Sequence, residues 1–225
     1  GNKLVQIYGQ GECPMNISVL DLHQHGDSDH PCYRQRLKSA GLPQLGMEIR
    51  IRDDDGSMAA PGIAGEILVR GDAVMLGYWR NPQATAETLR DGWLYSGDIG
   101  YLDDDGFLYL TDRSKDVIIS GGTNIYPREV EEVLLQHPAV AEASVIGVAD
   151  PDWGERVVAY VAPATGFELS DELLEQYCLS YMARFKRPKQ YCFVPELPKN
   201  STGKVLKTEL RKQFLESATS ESTTG

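Results

Sequence analysis

Four short clusters of residues in this chain have types and spacings that could do chemistry. The first, "YGQGE" (Tyr8–Glu12), combines an aromatic face, a flexible turn and a carboxylate, which would suit a flat heterocycle and a hard cation. The second, "YSGD", ends in Asp98, a carboxylate that follows a glycine turn and could accept hydrogen bonds from a sugar diol. Taken alone, each pattern is at least as typical of a strand end with a partly buried tyrosine, or of an ordinary turn aspartate.

The other two clusters carry cations. "DRSKD" (Asp112–Asp116) alternates charges, and "LPKNSTGKVLK" presents Lys204 in a flexible loop. A phosphate-binding loop would need a glycine five residues before Gly203 and a serine or threonine after the lysine. Those positions hold Pro198 and Val205. Both clusters could be solvated surface, and if Lys204 meets a phosphate it must do so by another geometry.

A metal site is a further possibility in "HQHGDSDHPC", residues 23–32. Its candidate ligands are His23, His25, His30 and Cys32. Zinc sites usually show tighter pairings, and the Gly, Asp, Ser and Pro content is typical of a mobile polar loop. The loop interpretation is therefore favoured over a metal site.

Two Asp-Asp-Asp-Gly runs, at 53–56 and 103–106, lie between alternating apolar segments. An EF-hand calcium loop would place its glycine sixth and a glutamate twelfth, and neither run does. Asp-Gly tolerates positive φ, so both runs predict hairpin turns.

Composition excludes several classes of function. The 225 residues carry 33 acidic and 22 basic side chains, a net charge of −11, which argues against binding to nucleic acid or to an anionic membrane. No apolar run is long enough to span a bilayer. Four cysteines without close spacing predict reduced thiols and a cytoplasmic protein. The chain also begins abruptly, almost within a strand, which suggests a fragment of a longer polypeptide.

The elements that must position these clusters change character along the chain. Residues 1–112 are glycine-rich and strand-like, which predicts mainly antiparallel, barrel-like sheet. Residues 113–215 mix helix and strand: Pro127 begins one predicted helix, and Ser170 caps another. Residues 216–225 are small and polar and predict a disordered tail. The predicted class is α+β, with a large-domain end followed by a small mobile α+β domain.

Taken together and in order, the clusters are far more specific. The chain resembles the carboxyl-terminal part of the adenylate-forming superfamily, which includes acyl-CoA synthetases, nonribosomal adenylation domains and firefly-type luciferases. The resemblance spans about Tyr8 to Arg211. It rests on "YGQGE", "GEILVRGDAVMLGYWRNPQATAET", "DGWLYSGDIGYLDDDGFLYLTDRSKDVIISGGTNIYPREVEEVL" and "PKNSTGK". Family members make an acyl-adenylate from a carboxylate and Mg-ATP, and then pass the acyl group to a thiol.

The resemblance implies roles for the first two clusters. Tyr8 would lie against adenine, and Glu12 would act in catalysis by helping to hold Mg²⁺. Gly11 stands where the family usually has threonine or serine, so a hydroxyl contact to phosphate is missing here, and a backbone N–H or a water would have to replace it. Asp98 would take the ribose hydroxyls, with Arg113 assisting.

The resemblance also implies roles for the remaining clusters. Lys115 would be the hinge about which the small domain swings between the two half-reactions. Lys204 would bridge the carboxylate and the α-phosphate of ATP during adenylation. Gly121 and Gly122 would face the tunnel for the pantetheine arm of CoA, where a Cβ would narrow the passage.

Parts of the family pattern are absent from this chain. The phosphate loop and most of the carboxylate pocket should lie upstream, apart from Gly9, Gln10 and residues 13–15. We therefore expect a missing amino-terminal portion as a partner, and no useful adenylation by this chain alone. The leading hypothesis is a fragment of an acyl-CoA synthetase for a fatty or aryl acid. The alternatives are an adenylation domain that loads a carrier-protein thiol and a non-catalytic binding module; the oligomeric state is open.

Overall fold

The computed structural model describes residues 3–221, and the side chains of residues 3–217. The chain divides into two compact units between Lys115 and Asp116. This division falls three residues beyond the predicted boundary after Asp112, and each unit has hydrophobic clusters of its own.

The first unit is mostly antiparallel sheet. Its elements are β1 (Gln6–Gln10), β2 (Cys13–Leu20), α1 (Leu22–Gly26), α2 (Tyr33–Arg36), β3 (Leu42–Pro43), β4 (Met47–Arg52), β5 (Gly65–Gly71), α3 (Pro82–Thr88), β6 (Leu89–Arg90), β7 (Trp93–Leu102) and β8 (Leu108–Arg113). One sheet has the order β1-β2-β3, and a second has the order β4-β5-β7-β6 with β8 also paired to β7.

Alternating side chains explain why β4 forms and which face it buries. Met47, Ile49 and Ile51 point into the unit, while Glu48 and Arg50 are exposed. A period of two is the signature of a strand with one face in the core. The buried face packs against Ile67 and Val69 of β5, two strand residues that are fully buried.

Both predicted Asp-Gly turns are present. In each, the glycine N–H donates to the carbonyl of the first aspartate, Asp53 or Asp103, at 3.0 Å. Gly56 and Gly106 have φ of +89° and +83°, which a residue with a Cβ adopts only at a cost. The second turn joins β7 to β8, and a register shift between Ile99 and Gly100 then brings residue 98 opposite residue 113.

The second unit is α+β. A short 3₁₀ turn, Ser114–Asp116, crosses the division and leads into β9 (Ile118–Ser120), β10 (Thr123–Ile125), α4 (Pro127–Leu135), β11 (Val140–Asp150), β12 (Gly154–Pro163), α5 (Asp171–Tyr181), β13 (Gln190–Phe193) and α6 (Lys207–Glu221). The sheet order is β10-β9-β12-β11, and β13 pairs with β12 in parallel. The α+β class and the mainly antiparallel sheets are confirmed.

Two helices begin where the sequence predicts. Pro127 is the first residue of α4, whose buried face includes Val130 and Leu134. Ser170 caps α5 by accepting the N–H of Leu173 at 3.3 Å. The buried face of α5 is narrow: Leu174 and Cys178 are fully buried, whereas Leu173 is 41% exposed.

The structure differs from the sequence prediction in two segments. Residues 23–32 are not a plain loop, because Asp21 and Gln24 form a reciprocal capping box that starts α1. The predicted disordered tail begins at 216, but α6 continues to Glu221; residues 222–225 lie outside the described part of the chain. Within residues 3–221, no helix is long and apolar enough to cross a membrane.

Candidate functional site

The best-defined polar cluster of the first unit surrounds Asp98. The Tyr8 hydroxyl donates to Asp98 Oδ2 at 2.5 Å, and Arg113 Nε lies 2.6 Å from Oδ1. Asp98 is only 6% exposed and Tyr8 only 8%, whereas the Arg113 side chain is 45% exposed. The sequence places these residues in three separate motifs, and the fold brings them into contact.

A β-bulge aims the Asp98 side chain. Leu68 of β5 pairs with Tyr95, while Glu66 pairs with Ile99, so residues 96–98 of β7 oppose a single residue of β5. Gly97 makes the bend possible with φ of +68°. Bulges redirect side chains beside functional sites, and here the register across β7 and β8 places Asp98 directly opposite Arg113.

Burial and the neighbouring charge act together on Tyr8. Desolvation is the main cause that raises the pKa of the Tyr8 phenol well above its ordinary value, and the charge of Asp98 adds to it. A protonated phenol is a donor, so Tyr8 donates to Asp98 Oδ2 while Arg113 contacts Oδ1. Two of the roughly four lone-pair sites of the carboxylate are used by Tyr8 and Arg113, which leaves acceptor capacity for a diol.

Glu12 lies at the tip of a two-residue turn between β1 and β2. Its Oε1 accepts a 2.5 Å hydrogen bond from the Tyr78 hydroxyl, and its backbone carbonyl accepts the N–H of Met75 at 2.8 Å. The bond to the carboxylate raises the pKa of Tyr78. The segment before α3 therefore fixes Glu12 through both main chain and side chain, a contact that the sequence did not reveal.

The two glycines of "YGQGE" differ in their surroundings. A Cβ on Gly9 would lie 2.3 Å from the backbone N of Met15, because β2 bulges toward it. A Cβ on Gly11 would meet nothing within 4 Å. Gly9 is therefore a steric requirement of the fold, whereas the position of Gly11 has room for the hydroxyl side chain that relatives of the resembled family usually carry.

The candidate hinge coincides with the division of the chain. Lys115 is exposed and is the last residue of the first unit. On one side Arg113 is tied to Asp98; on the other, Asp116 pairs with Arg211 of α6 at 3.1 Å. Each flank of Lys115 is thus anchored within its own unit.

The Gly121–Gly122 pair lies in the second unit, between β9 and β10. Gly121 has φ of +56°, and a Cβ there would approach Trp153 Cε3 to 2.7 Å. Gly122 has φ of +76° and open space where its Cβ would be. Both positions thus favour glycine for backbone reasons that are independent of any tunnel.

Lys204 is exposed on the loop that precedes α6. Its backbone is held by Asn200: Lys204 N donates to Asn200 Oδ1 and Asn200 N donates to the Lys204 carbonyl, both at 2.9 Å. The loop is therefore structured, while the ammonium group extends to solvent. An exposed cation on a fixed backbone can be presented to an anion.

Two of the three histidines in residues 23–32 have structural contacts. His25 Nδ1 lies 3.1 Å from the carbonyl of Leu20, and His30 Nδ1 accepts the N–H of Cys32 at 3.0 Å. Among the residues that the structure describes, no three His, Cys, Asp or Glu side chains are grouped so that they could hold a metal ion.

Two family models match the chain. Residues 1–79 match the AMP-binding enzyme model, and residues 129–204 match the AMP-binding enzyme C-terminal domain. The chain belongs to the AMP-binding enzymes. This places it in the adenylate-forming superfamily, as its motifs indicate.

This chain has curated relatives that are named as a 2-succinylbenzoate–CoA ligase and a feruloyl-CoA synthase. It is 44% identical over 213 residues to a 2-succinylbenzoate–CoA ligase of Geobacillus sp. (strain WCH70), covering 94% of this chain and 41% of the relative. It is 43% identical over 214 residues to a feruloyl-CoA synthase of Amycolatopsis sp., covering 95% and 42%. The chain thus spans about two-fifths of the length of the curated relatives that it matches.

Solved structures similar to this chain also include a CoA synthetase, and the chain again covers about two-fifths of their length. An o-succinylbenzoate CoA synthetase from Bacillus subtilis, in complex with an acyl-adenylate intermediate, has a TM-score of 0.81 at 40% identity and covers 92% of this chain and 40% of that one. An amide bond synthetase from Marinactinospora thermotolerans has a TM-score of 0.83 at 40% identity, covering 95% and 42%. The neighbours therefore include proteins named for two different products, a thioester and an amide.

The residues present fit the ligands that the family implies. Mg²⁺ is usually bound through one or two carboxylates together with substrate phosphates, and Glu12 offers one carboxylate already oriented by Tyr78. Asp98 offers a buried carboxyl acceptor to a ribose diol. In the second unit, Lys204 supplies an exposed cation. Gly122, which the resemblance assigns to the CoA tunnel, has open space where a Cβ would lie.

Proposed function

We propose that the full-length protein is an ATP-dependent, AMP-forming carboxylate–CoA ligase whose substrate is an aromatic carboxylic acid. The observation that carries this proposal is the buried Asp98 carboxylate, which Tyr8 and Arg113 hold from two sides. Burying a carboxylate is costly unless its partners compensate for lost water. A module that kept only the fold has no need of that arrangement.

In this account, the first unit orients ATP. Asp98 accepts the ribose hydroxyls, with Arg113 fixing its second oxygen, and the Tyr8 ring borders the adenine. Glu12 would hold Mg²⁺, which supplies charge neutralisation on the phosphates when bound. Tyr78 keeps the Glu12 carboxylate in place before the ion arrives.

Lys204 acts in the first half-reaction. A carboxylate and an α-phosphate repel each other as they approach, and negative charge grows as pyrophosphate departs. A fixed ammonium counters both effects, and preorganised groups of this kind contribute on the order of 10²- to 10³-fold in rate. Lys115 would be the hinge that allows the second unit to withdraw Lys204 before the thiol enters. The thiol of CoA would then enter along a path that passes Gly121 and Gly122.

The choice of acid rests on the relatives. Succinylbenzoate and ferulate are both aromatic carboxylates, so an aryl acid is favoured over a fatty acid, the other class that the motifs allow. Acyl pockets discriminate in small steps of about 1–3 kcal/mol per methylene. A cytoplasmic location stays a prediction, as does the inactivity of this chain without its amino-terminal portion.

A carboxylic acid panel with the full-length protein tests the proposal. Pyrophosphate release is scored for aryl, arylalkyl and fatty acids, with and without CoA, and the acyl product is identified by mass. We expect an aryl acid to give pyrophosphate and a CoA thioester. If the protein turns over none of the acids in the panel, the proposed activity is contradicted.

Two other acceptors are tested in the same panel. A phosphopantetheinyl carrier protein tests the adenylation-domain alternative that the motifs leave open. An amine tests the amide-forming alternative, which the likeness to an amide bond synthetase supports. Acylation of either acceptor in preference to CoA would replace the ligase proposal while leaving the adenylation step intact.

A further inference from the structure

Asn200 is the centre of the loop that carries Lys204. Its side-chain Oδ1 accepts three hydrogen bonds: from Thr202 N at 3.0 Å, from Thr202 Oγ1 at 2.8 Å and from Lys204 N at 2.9 Å. An asparagine oxygen that caps its own loop in this way replaces the hydrogen bonds that regular secondary structure would supply.

The backbone of Asn200 closes the same loop. Its N–H donates to the Lys204 carbonyl at 2.9 Å, and its carbonyl accepts the N–H of Gly203 at 3.0 Å. Gly203 has φ of +83°, which makes the tight return possible. Both backbone polar groups of Lys204 are therefore bonded to one residue, so the direction of its Cα–Cβ bond is set by Asn200.

Two ion pairs fix the ends of the loop. Lys199 pairs with Glu142 of β11, and its hydrogen bond lowers the pKa of that carboxyl. Lys207 pairs with Glu131 of α4 at 2.9 Å, and both of these side chains are only 18% exposed. The loop is thus anchored to a strand on one side and to a helix on the other, and its internal geometry depends on Asn200.

We propose that Asn200 is a positioning residue for the adenylation half-reaction: it orients Lys204 toward the reacting phosphate without touching substrate. This inference rests on the proposed function, since it assigns Asn200 a role only through Lys204. A cation that must meet a developing charge has to be held within a fraction of an ångström. A misplacement of about 1 Å can lower a rate by about 10²-fold.

The exposure of the loop makes the proposal testable without unfolding the protein. Asn200 and Lys204 are both exposed, so a substitution there leaves the hydrophobic core intact and removes only a small part of the stability of the fold. Asn200→Ala removes the acceptor oxygen. Asn200→Thr restores a neutral acceptor that can bond the N–H two residues on, more weakly.

The experiment uses the full-length protein and separates the half-reactions. Adenylation is followed as pyrophosphate release, and thioester formation is started from preformed acyl-adenylate and CoA. We expect Asn200→Ala to lower kcat for adenylation about 10- to 100-fold, with the KM for ATP and the second half-reaction within about 2-fold of wild type. Asn200→Thr should recover most of the loss.

Ser170→Ala is the matched control, because it also removes a side-chain cap in the second unit but lies on α5. It should leave both half-reactions unchanged. Asn200→Ala with full adenylation, or with both half-reactions equally slow, would overturn the proposal. Wild type and Lys204→Ala in the same assay separate the failures. A wild type that does not adenylate refutes the proposed function, and normal adenylation by Lys204→Ala refutes the role of Lys204. A slow Lys204→Ala beside a normal Asn200→Ala refutes only the role of Asn200.

Discussion

Tyr8→Phe is the substitution whose effect can be worked furthest from the structure. It removes one hydroxyl, whose 2.5 Å hydrogen bond to Asp98 lies almost wholly out of water. The ring itself stays, so packing in the first unit is preserved. Hydrogen bonds to charged groups contribute about 1.5–3 kcal/mol, and we expect the free energy of unfolding to fall by about that amount at pH 7.

The pH dependence of the free energy of unfolding gives a second, independent estimate of the effect of Tyr8. Because burial and Asp98 raise the folded-state pKa of Tyr8 above the unfolded value of about 10, its contribution to stability is complete below about pH 10. It is lost as the pH rises further, since only the unfolded chain then releases the proton. By about pH 11 the loss reaches about 1.4 kcal/mol, and the phenylalanine variant has no such loss.

Matched urea unfolding curves measure both effects. Wild type and Tyr8→Phe are compared at pH 7, 9 and 11, with Tyr181→Phe as the control because that side chain is 61% exposed. The difference between wild type and Tyr8→Phe should be constant up to pH 9 and smaller at pH 11. A difference below about 0.5 kcal/mol at pH 7, which is the range of ordinary surface changes, would refute the buried bond.

Two further predictions concern the β1–β2 turn. Gly9→Ala should cost about 2–3 kcal/mol in urea unfolding, because its Cβ would overlap the backbone of Met15, whereas Gly11→Ala should be nearly neutral; equal effects would contradict the stated packing. Tyr78→Phe should lower the affinity of the full-length protein for Mg²⁺ in the presence of ATP about 10-fold. Calorimetry of ATP binding over a range of Mg²⁺ concentrations measures this affinity. An unchanged Mg²⁺ dependence would show that Tyr78 does not position Glu12.

Local chemistry made several elements predictable. The Asp-Gly pairs predicted the turns at Gly56 and Gly106, because few residues other than glycine accept the positive φ of these positions. Pro127 predicted the start of α4. The helix α1 was missed although its signal, the Asp21–Gln24 capping box, is in the sequence; the surrounding Gly, Asp and Pro residues concealed it.

The site was only half predictable, for a physical reason. The motifs identified Tyr8 and Asp98 as separate candidates, but the hydrogen bond between them joins residues 90 positions apart. That bond also depends on a bulge in β7 that no local pattern specifies. The Tyr78–Glu12 contact is likewise a product of tertiary packing. Asn200 is different, because its role is local: the "NSTGK" string contains the asparagine and the glycine that close the loop.

The most direct test of the central claim is Lys204→Ala in the full-length protein, assayed in both half-reactions. The account predicts that pyrophosphate release with an accepted acid falls on the order of 10²- to 10³-fold, while CoA still converts preformed acyl-adenylate at close to the wild-type rate. Equal loss of both half-reactions, or adenylation at the wild-type rate, would contradict it.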